Sequence, residues 1–301
     1  MKLREIDDIL DAFPKGRTKY FYFKDKYAID LLSYAFDDSS IDAIKRSQYS
    51  GLLKKPIVRQ RLSSIGTNRL RSDDWVDVWS NDVEPYLLTL GKWGHDKHGE
   101  RYYYQTTNTD ANLVLQLNFS NLHNSAFRRY VGDGDRNPYA FYGHPIAPAP
   151  YYTLAWARLD LSLDTNEALI EEIQTDWIRK ANSEKAYLDT IPNELTSKER
   201  HRLHYLSECL APHVKIWQEA ILAAAIWFIY REIGISRIYY HSHKSGCRLK
   251  GIEDRLPPRS LYETLPRKFC FEAVDTIPEF LIPAIRKKKI KPRFYFLDLG
   301  V

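Results

Sequence analysis

The chain is poor in cysteine. Its 301 residues carry three, Cys209, Cys247 and Cys270, odd in number and widely spaced. That excludes a disulfide framework and any paired metal-binding spacing, and it implies reduced thiols in a cytoplasmic protein. No apolar run approaches the ~20 residues that a membrane-spanning helix needs. The longest is Ala220 to Tyr230, and the opening MKLREIDDIL is charged where a signal peptide would be apolar. No membrane partner is therefore expected. Charge of one sign is also missing. The 44 basic and 39 acidic residues leave a formal net charge of +5, too mild to imply nucleic-acid binding by itself. His95, His98, His123 and His144 are scattered through loops without a ligand spacing, so solvated histidines are expected rather than a metal centre.

What the chain does have is aromatic mass and apolar periodicity. Apolar residues make up 44 %, with 21 Tyr, 13 Phe and 7 Trp, which suffices for one large domain or two smaller ones. Leu3, Ile6, Ile9, Leu10 and Phe13 fall at helical spacing, and Pro14-Lys15-Gly16 should end that helix. Tyr20 to Phe23 reads as extended. Asp25 is expected to cap a helix reaching Tyr34, and Ser40 one that starts at Ile41. A basic stretch follows, with Lys45, Arg46, Lys54, Lys55, Arg59, Arg61, Arg69 and Arg71. Residues 1–75 thus form a basic helical region. It could meet nucleic acid through phosphates, or it could be a solvated surface; no helix-turn-helix signature distinguishes the two.

Residues 76–150 read as a β-rich segment followed by a long loop. Tyr86 to Leu90 is a strand with Tyr102 to Thr106 as its expected hairpin partner, and Asn112 to Phe119 is a third strand with an apolar face. The Gly-, Pro- and Asp-rich residues 131–150 mark a boundary or the cover of a site. Residues 151–301 read as an α/β core. Tyr152 to Leu163 and Leu169 to Trp177 form an antiparallel hairpin. Two helices around Pro192-Asn193 follow, the second behind Thr196 with Glu199 at capping-box spacing. Lys215 to Ile233 is apolar nearly all round, hence a buried helix, and Gly234 ends it. The strand after it should return parallel by a right-handed crossover. The fold class expected is thus α/β (α+β), a mixed sheet with a buried crossover helix behind a helical N-terminal region.

Chemistry concentrates in Leu169 to Trp177, LIEEIQTDW. As a strand it places Leu169, Glu171, Ile173, Thr175 and Trp177 on one face and Glu172, Gln174 and Asp176 on the other. An exposed edge accounts for that pattern. So does a site in which two carboxylates and an amide hold a cation, a base or a substrate amine. The segment HKSGCRLKG reads as a loop at the carboxyl end of the crossover strand, where α/β sheets bind ligands. That makes His241, Ser242 and Lys244 candidates for substrate contact. Glu172 and Asp176 with His241 could instead hold a metal. Pro258 to Phe271 reads as a helix, the basic run Arg286 to Arg293 as a solvated turn, and Phe294 to Leu299 as a closing strand.

From Tyr151 onward the order of motifs resembles a domain of the large polyvalent proteins of phages and mobile elements. The residues that carry the resemblance are ARL at Ala157 to Leu159, IEEIQTDW at Ile170 to Trp177, W-x-EAIL at Trp217 to Leu222, EIGISRIYY at Glu232 to Tyr240 and SLYETLP at Ser260 to Pro266. It implies a mobile-element context and a role for Arg158 and Trp177 beside the motif. The order hairpin, helix, strand, helix, final strand is also similar to the GCN5-related acyltransferases. That resemblance implies acetyl-coenzyme A as a cofactor, held near Lys215 and Trp217 at the start of the crossover helix. It implies Glu172 or Asp176 as base, Gln174 as orienting group and Tyr262 as general acid toward an amine substrate. The chain departs from it in the charged excursion 178–210 and in a helix entry, LAPHVKIW, without glycine. The expectation is an acyltransferase-like enzyme; the alternative is a non-catalytic nucleic-acid-binding or phage-conflict module.

Overall fold

A helix that is apolar on every side has to be enclosed, and one large mixed sheet supplies most of the enclosure. The computed structural model describes residues 1–13, 18–94, 105–108, 111–132, 137–191, 194–252 and 256–300. The N-terminal part holds α1 (Leu3–Ala12), β1 (Thr18–Tyr22), α2 (Lys26–Ala35), β2 (Ser39–Ser40), α3 (Ile41–Lys45), α4 (Pro56–Ser64) and β3 (Arg69–Leu70). Then come β4 (Glu84–Trp93), β5 (Asn112–Phe119), α5 (Asn121–Tyr130), β6 (Thr153–Ser162), β7 (Glu167–Gln174), α6 (Asp176–Leu188) and α7 (Ser197–His204). The chain closes with α8 (Ala211–Trp227), β8 (Arg237–His241), α9 (His243–Lys250), α10 (Arg259–Lys268), β9 (Glu272–Val274), α11 (Ile282–Lys288) and β10 (Phe294–Asp298).

The main sheet has eight strands in the order β1-β4-β5-β6-β7-β8-β10-β9. Its single parallel pair is β7 with β8, joined across α8; its other neighbours are antiparallel. Strands from all three stretches of sequence share this sheet, and one core runs from Ile6 through β5 to Leu297. The crossover helix lies in that core with Ile221, Leu222, Ala224 and Phe228 fully covered. A one-turn π segment, Tyr205–Cys209, joins α7 to it, and the backbone stays right-handed helical at the junctions Tyr205 and Leu210. Glu219 and His213 are the buried polar residues of α8 among the described residues; Glu219 is the charged one. It accepts from the Tyr22 hydroxyl and the Asp25 amide, each at 3.2 Å, and from Lys268, tying α8 to the N-terminal strand and to α10.

Several expectations need correction. Asp25 precedes α2 but sits in the left-handed region (φ 64°) and makes no side-chain cap; its carboxylate pairs with Lys55 at 3.0 Å instead. Of the N-terminal basic residues, Lys45 pairs with Asp42, and Arg69 and Arg71 with Asp38. Among the described residues β4 is paired with β1 and β5. Gln105 and Thr106 are not in a strand, and Tyr102 to Tyr104 lie outside the described residues, as do Pro14 to Gly16, His95, His98, Pro192 and Asn193. The segment HKSGCRLKG is the helix α9, not a loop. Its glycine misleads: a Cβ on Gly246 would meet His241 Cβ at 3.0 Å, so glycine is needed for α9 to lie against β8. The basic run expected as a turn begins inside α11. Ser40 caps α3 and Thr196 with Glu199 forms a capping box, as expected. Among the described residues no helix is long and apolar enough to cross a membrane.

Candidate active site

The motif strand is central, flanked by β6 and β8, and it does not keep period two. Arg158 pairs with Glu172 but Leu159 pairs with Ile170, so Glu171 is an extra residue in β7. Such a bulge turns two consecutive side chains to the same side. Ile170 and Ile173 belong to the core around α8, whereas Leu169 belongs to a second cluster against α9 and α11. The two residues between the isoleucines, Glu171 and Glu172, therefore both face away from α8, where strict alternation puts them on opposite faces. The strand ends at Gln174. Thr175 caps α6 by accepting from the Ile178 amide, and Asp176 and Trp177 open that helix. The sequence carried this signal, since Thr before an acidic residue is N-cap chemistry.

On this second face the strands align polar side chains in rows. Thr89, Gln116, Trp156 and Gln174 are successive cross-strand partners, and so are Gly91, Val114, Arg158 and Glu172. Gln116, Arg158 and Glu172 are buried and Thr89 and Gln174 half-buried, so the polar groups that are buried need partners. Thr89 Oγ1 donates to Gln116 Oε1 at 2.6 Å, and Gln116 Nε2 donates to the Pro145 carbonyl at 2.8 Å. Thr153 Oγ1 donates to Asn118 Oδ1 at 2.7 Å and accepts from the Ala147 amide at 2.9 Å. The loop 137–151 is thus hung on the polar face by hydrogen bonds.

The parallel ladder between β7 and β8 lasts from Glu167↔Arg237 to Ile170↔Tyr240 and goes no further. A buried ionic cluster occupies the place where the strands part. Arg158, 1 % exposed, donates to Glu172 and, at 2.8 Å, to the Gln105 carbonyl. Lys250 Nζ lies 3.4 Å from Glu172 Oε2 and 3.2 Å from the Glu171 carbonyl oxygen. Thr107 joins the two strands. Its amide donates to Glu171 Oε1 at 2.7 Å, and its hydroxyl lies 2.9 Å from Glu171 Oε2 and 2.8 Å from His241 Nε2. His241 Nε2 is itself 3.0 Å from Glu171 Oε2. Facing two oxygens, that nitrogen carries the proton, which leaves Nδ1 buried and without a partner among the described residues.

These contacts set the charge states. Burial alone raises the Glu171 pKa; the hydrogen bond and charge from His241, with Arg158 and Lys250 behind them, outweigh burial and bring it down to about 2. Burial likewise opposes the ionised form of Glu172, but Lys250 and Arg158 hold its pKa below the usual carboxylate range. Burial lowers the His241 pKa, against the hydrogen bond and charge of Glu171, which raise it. Tyr262 is buried in electrostatic reach of Glu172, Tyr240 and Arg158, and burial pushes its phenol well above 10. The Tyr262, Tyr240 and Arg158 Nε and Nη1 groups have no hydrogen-bond partner among the described residues. Lys250 Nζ sits 5.7 Å from the Tyr262 ring centroid.

Beside this cluster, at the end of β7, His144 Nδ1 lies 2.7 Å from Asp176 Oδ2. Gln174 Nε2 reaches Asp176 Oδ1 at 3.3 Å, and Arg179 reaches the same oxygen at 2.6 Å. Gln174 Nε2 is also 3.2 Å from His144 Nδ1. That nitrogen can hold one proton, and the carboxylate is its stronger partner. The Asp176 side chain is 3 % exposed but that of His144 is 23 % exposed, so the ring is the part of the pair that solvent reaches. His144 is therefore not a solvated loop histidine. Neither is His123, which is buried in α5 and stacked on Phe119 at 3.5 Å.

The structure brings Arg158, Glu172, His241 and Tyr262 together in the gap, and Gln174 and Asp176 next to it. It does not bring the others there. Trp177 donates to the Tyr205 hydroxyl at 2.9 Å inside an aromatic cluster with Phe119, Phe127 and Tyr152, so its role is packing. Trp217 is in the core, and Lys215 is exposed on α8. Ser242 and Lys244 line a separate cavity at the start of α9, and the Ser242 hydroxyl donates to the Arg293 carbonyl. Glu172, Asp176 and His241 do not form a ligand set: among the described residues no group of three or more such side chains could hold a metal ion. Glu171, Lys250, Thr107 and His144 were missed in the sequence. For Lys250 a signal existed, since Cys247, Leu249 and Lys250 share the buried side of α9; for Thr107 and His144 there was none. No family model matches the chain, and neither a curated protein nor a solved structure does.

Proposed function

We propose that the chain is a transferase that moves an acyl group onto an amine where β7 and β8 part. The arrangement of an antiparallel hairpin, a buried crossover helix and a parallel strand that diverges from its neighbour supports the likeness to GCN5-related acyltransferases. The observation that carries the reading is the His144–Asp176 pair at the accessible edge of a buried ionic cluster. An imidazole tied to a carboxylate at Nδ1 can take a proton at Nε2. The base is therefore His144, oriented by Asp176, which Gln174 and Arg179 hold in turn. Glu172, kept ionised by Arg158 and Lys250, is a weak proton acceptor; it positions those two cations. In the step, the amine nitrogen bonds to the acyl carbon and loses its proton to His144. The bond from the acyl carbon to the leaving group breaks, and Tyr262, protonated throughout the neutral range, gives that group its proton.

Coenzyme A, as the GCN5-related fold holds it, does not fit these residues. That fold uses open backbone amides at the amino end of the crossover helix. Here α8 continues from α7 through the π turn, and Pro212 removes one amide from its first turn. No step is routed through that cofactor. The test is acyl transfer to a lysine-containing peptide library, followed by mass spectrometry, with acetyl phosphate and acetyl-coenzyme A as donors. The reading expects product with at least one donor and a loss of about 10²–10⁴-fold in His144→Asn with the fold intact. Absence of transfer from both donors, or full activity in His144→Asn, overturns it.

A further inference from the structure

We infer that a second site, on the far side of β8 from the motif, binds a small diphosphate-bearing ligand. The cavity there has a volume of about 310 Å³ and takes its lining from α9, α10, β9 and the approach to β10, at the small end of ligand pockets (about 300–1,000 Å³). Five cationic side chains line it, Lys244, Arg248, Arg267, Lys291 and Arg293, against one carboxylate, Glu263. That carboxylate is engaged already: it accepts from the Tyr295 hydroxyl at 2.7 Å and lies 3.5 Å from Arg267. Arg293 meets the exposed Asp275 at 3.6 Å. Lys244, Arg248 and Lys291 are in no ion pair among the described residues. Cations gathered around a concavity repel one another, and an anion placed among them relieves that repulsion and accepts their hydrogen bonds.

The frame of the cavity is fixed without these cations. The Ser242 hydroxyl donates to the Arg293 carbonyl at 2.8 Å, and the Arg293 amide donates to the buried Ser245 hydroxyl oxygen at 2.7 Å. This double link clamps the start of α9 to the start of β10, so the backbone that carries the charges needs little ordering on binding. The first turn of α9 lies in the lining, and its dipole favours the same charge. The lone charge pairs of the wall leave a surplus that one phosphate does not neutralise, which favours a diphosphate group. The site does not depend on the transfer reading: it shares no residue with the His144 or Glu172 clusters.

The experiment is calorimetric titration of the full chain with inorganic pyrophosphate and with ADP, at ionic strength matched by sodium chloride. Pyrophosphate and ADP are expected to bind. Arg248→Gln/Lys291→Gln, two exposed positions, should weaken both by about tenfold or more. Glu263→Gln, which keeps an acceptor for Tyr295, should tighten both, and Lys198→Gln on α7 should change nothing. Heats equal to those of chloride alone overturn the site, as does wild-type affinity in the double variant. A single-stranded oligonucleotide that binds more tightly than ADP, with an affinity falling steeply in salt, overturns the small ligand in favour of nucleic acid.

Discussion

The two faces of the central sheet are built on different physics. Toward α8, the strands present Leu113, Leu115, Leu117, Ala155, Ala157, Ile170 and Ile173, and a helix without a polar side covers them. That face is held by burial, which is non-directional and tolerant of exchange between apolar shapes. Away from α8, strands β4 to β7 present Thr89, Gln116, Asn118, Arg158, Glu171, Glu172 and Gln174. Loops cover them, attached through side-chain hydrogen bonds. That face is held by directional contacts that fail when one member is removed. The difference separates the part of the molecule that makes the fold from the part that carries the candidate site.

The largest effect expected is at Arg158. Arg158→Met leaves Glu172 buried with only Lys250 near it, and uncompensated buried charge costs about 3–5 kcal/mol. Leu222→Ala on the opposite face also costs about 2–5 kcal/mol, from lost transfer energy and a cavity. Two further changes separate them. Adding Glu172→Leu and Lys250→Met to Arg158→Met should return much of the loss, because buried charges exchanged together for apolar groups are near neutral, whereas Glu172→Leu alone would strand Lys250. No partner change short of refilling the cavity rescues Leu222→Ala. Urea denaturation of these three variants beside the native chain measures this. Equal losses in Arg158→Met with and without the two further changes would show that the polar face is held by packing like its opposite.

A smaller effect, of roughly 3 kcal/mol, is expected from Glu171 and appears only with pH. Its pKa falls from an ordinary 4.5 to about 2 on folding. A depressed carboxylate stabilises the folded state fully above its unfolded pKa, and that contribution is lost as pH falls toward the folded value. Stability of the native chain should therefore drop between about pH 5 and pH 2 more steeply than that of Glu171→Gln, followed by chemical denaturation at each pH. Leu222→Ala should keep the native slope, since an apolar substitution binds no protons. Parallel curves for the native chain and Glu171→Gln would refute the assignment of the buried charge to that residue.

The same contrast explains what the sequence discloses. Apolar periodicity is local, so α8, the hairpin of β6 and β7, the parallel return of β8 and the apolar face of β5 were legible from residues alone. The polar face was not. The bulge at Glu171 depends on the register with β6, which no local pattern encodes, and it moves one carboxylate to the opposite face. The glycine of α9 reads as a loop until His241 is seen packed against it. Thr107 and His144 reach their partners from segments with no periodicity, across separations of 64 and 32 residues. Glu172, Gln174 and Asp176 stood out in the sequence, but the partners of these side chains, Arg158, Lys250 and His144, come from elsewhere in the chain.

The mildest test of the contrast is Gln116→Leu. The substitution fits the volume of the site and improves its transfer energy, so on the α8 face a change of this kind would cost little. Here it removes the acceptor of Thr89 Oγ1 and the donor to the Pro145 carbonyl. Two half-buried polar groups then lose that partner, at about 1–3 kcal/mol if neither reaches water, although Thr89 Oγ1 still accepts from Asn118 Nδ2 at 2.8 Å. The loop 137–151 has a cheaper way out: it can lift and let both groups hydrate, and a local opening caps the cost at the loop's own stability. The expected result is a global loss of about 1 kcal/mol with a larger rise in amide exchange at residues 144–147. Amides of α8 should exchange as before. His144 sits on the lifted segment, so its contact with Asp176 should loosen together with the loop. Uniformly faster exchange over both faces would instead mean that the two covers unfold as one unit, and that the division between a fold-making face and a chemical face is not an energetic one.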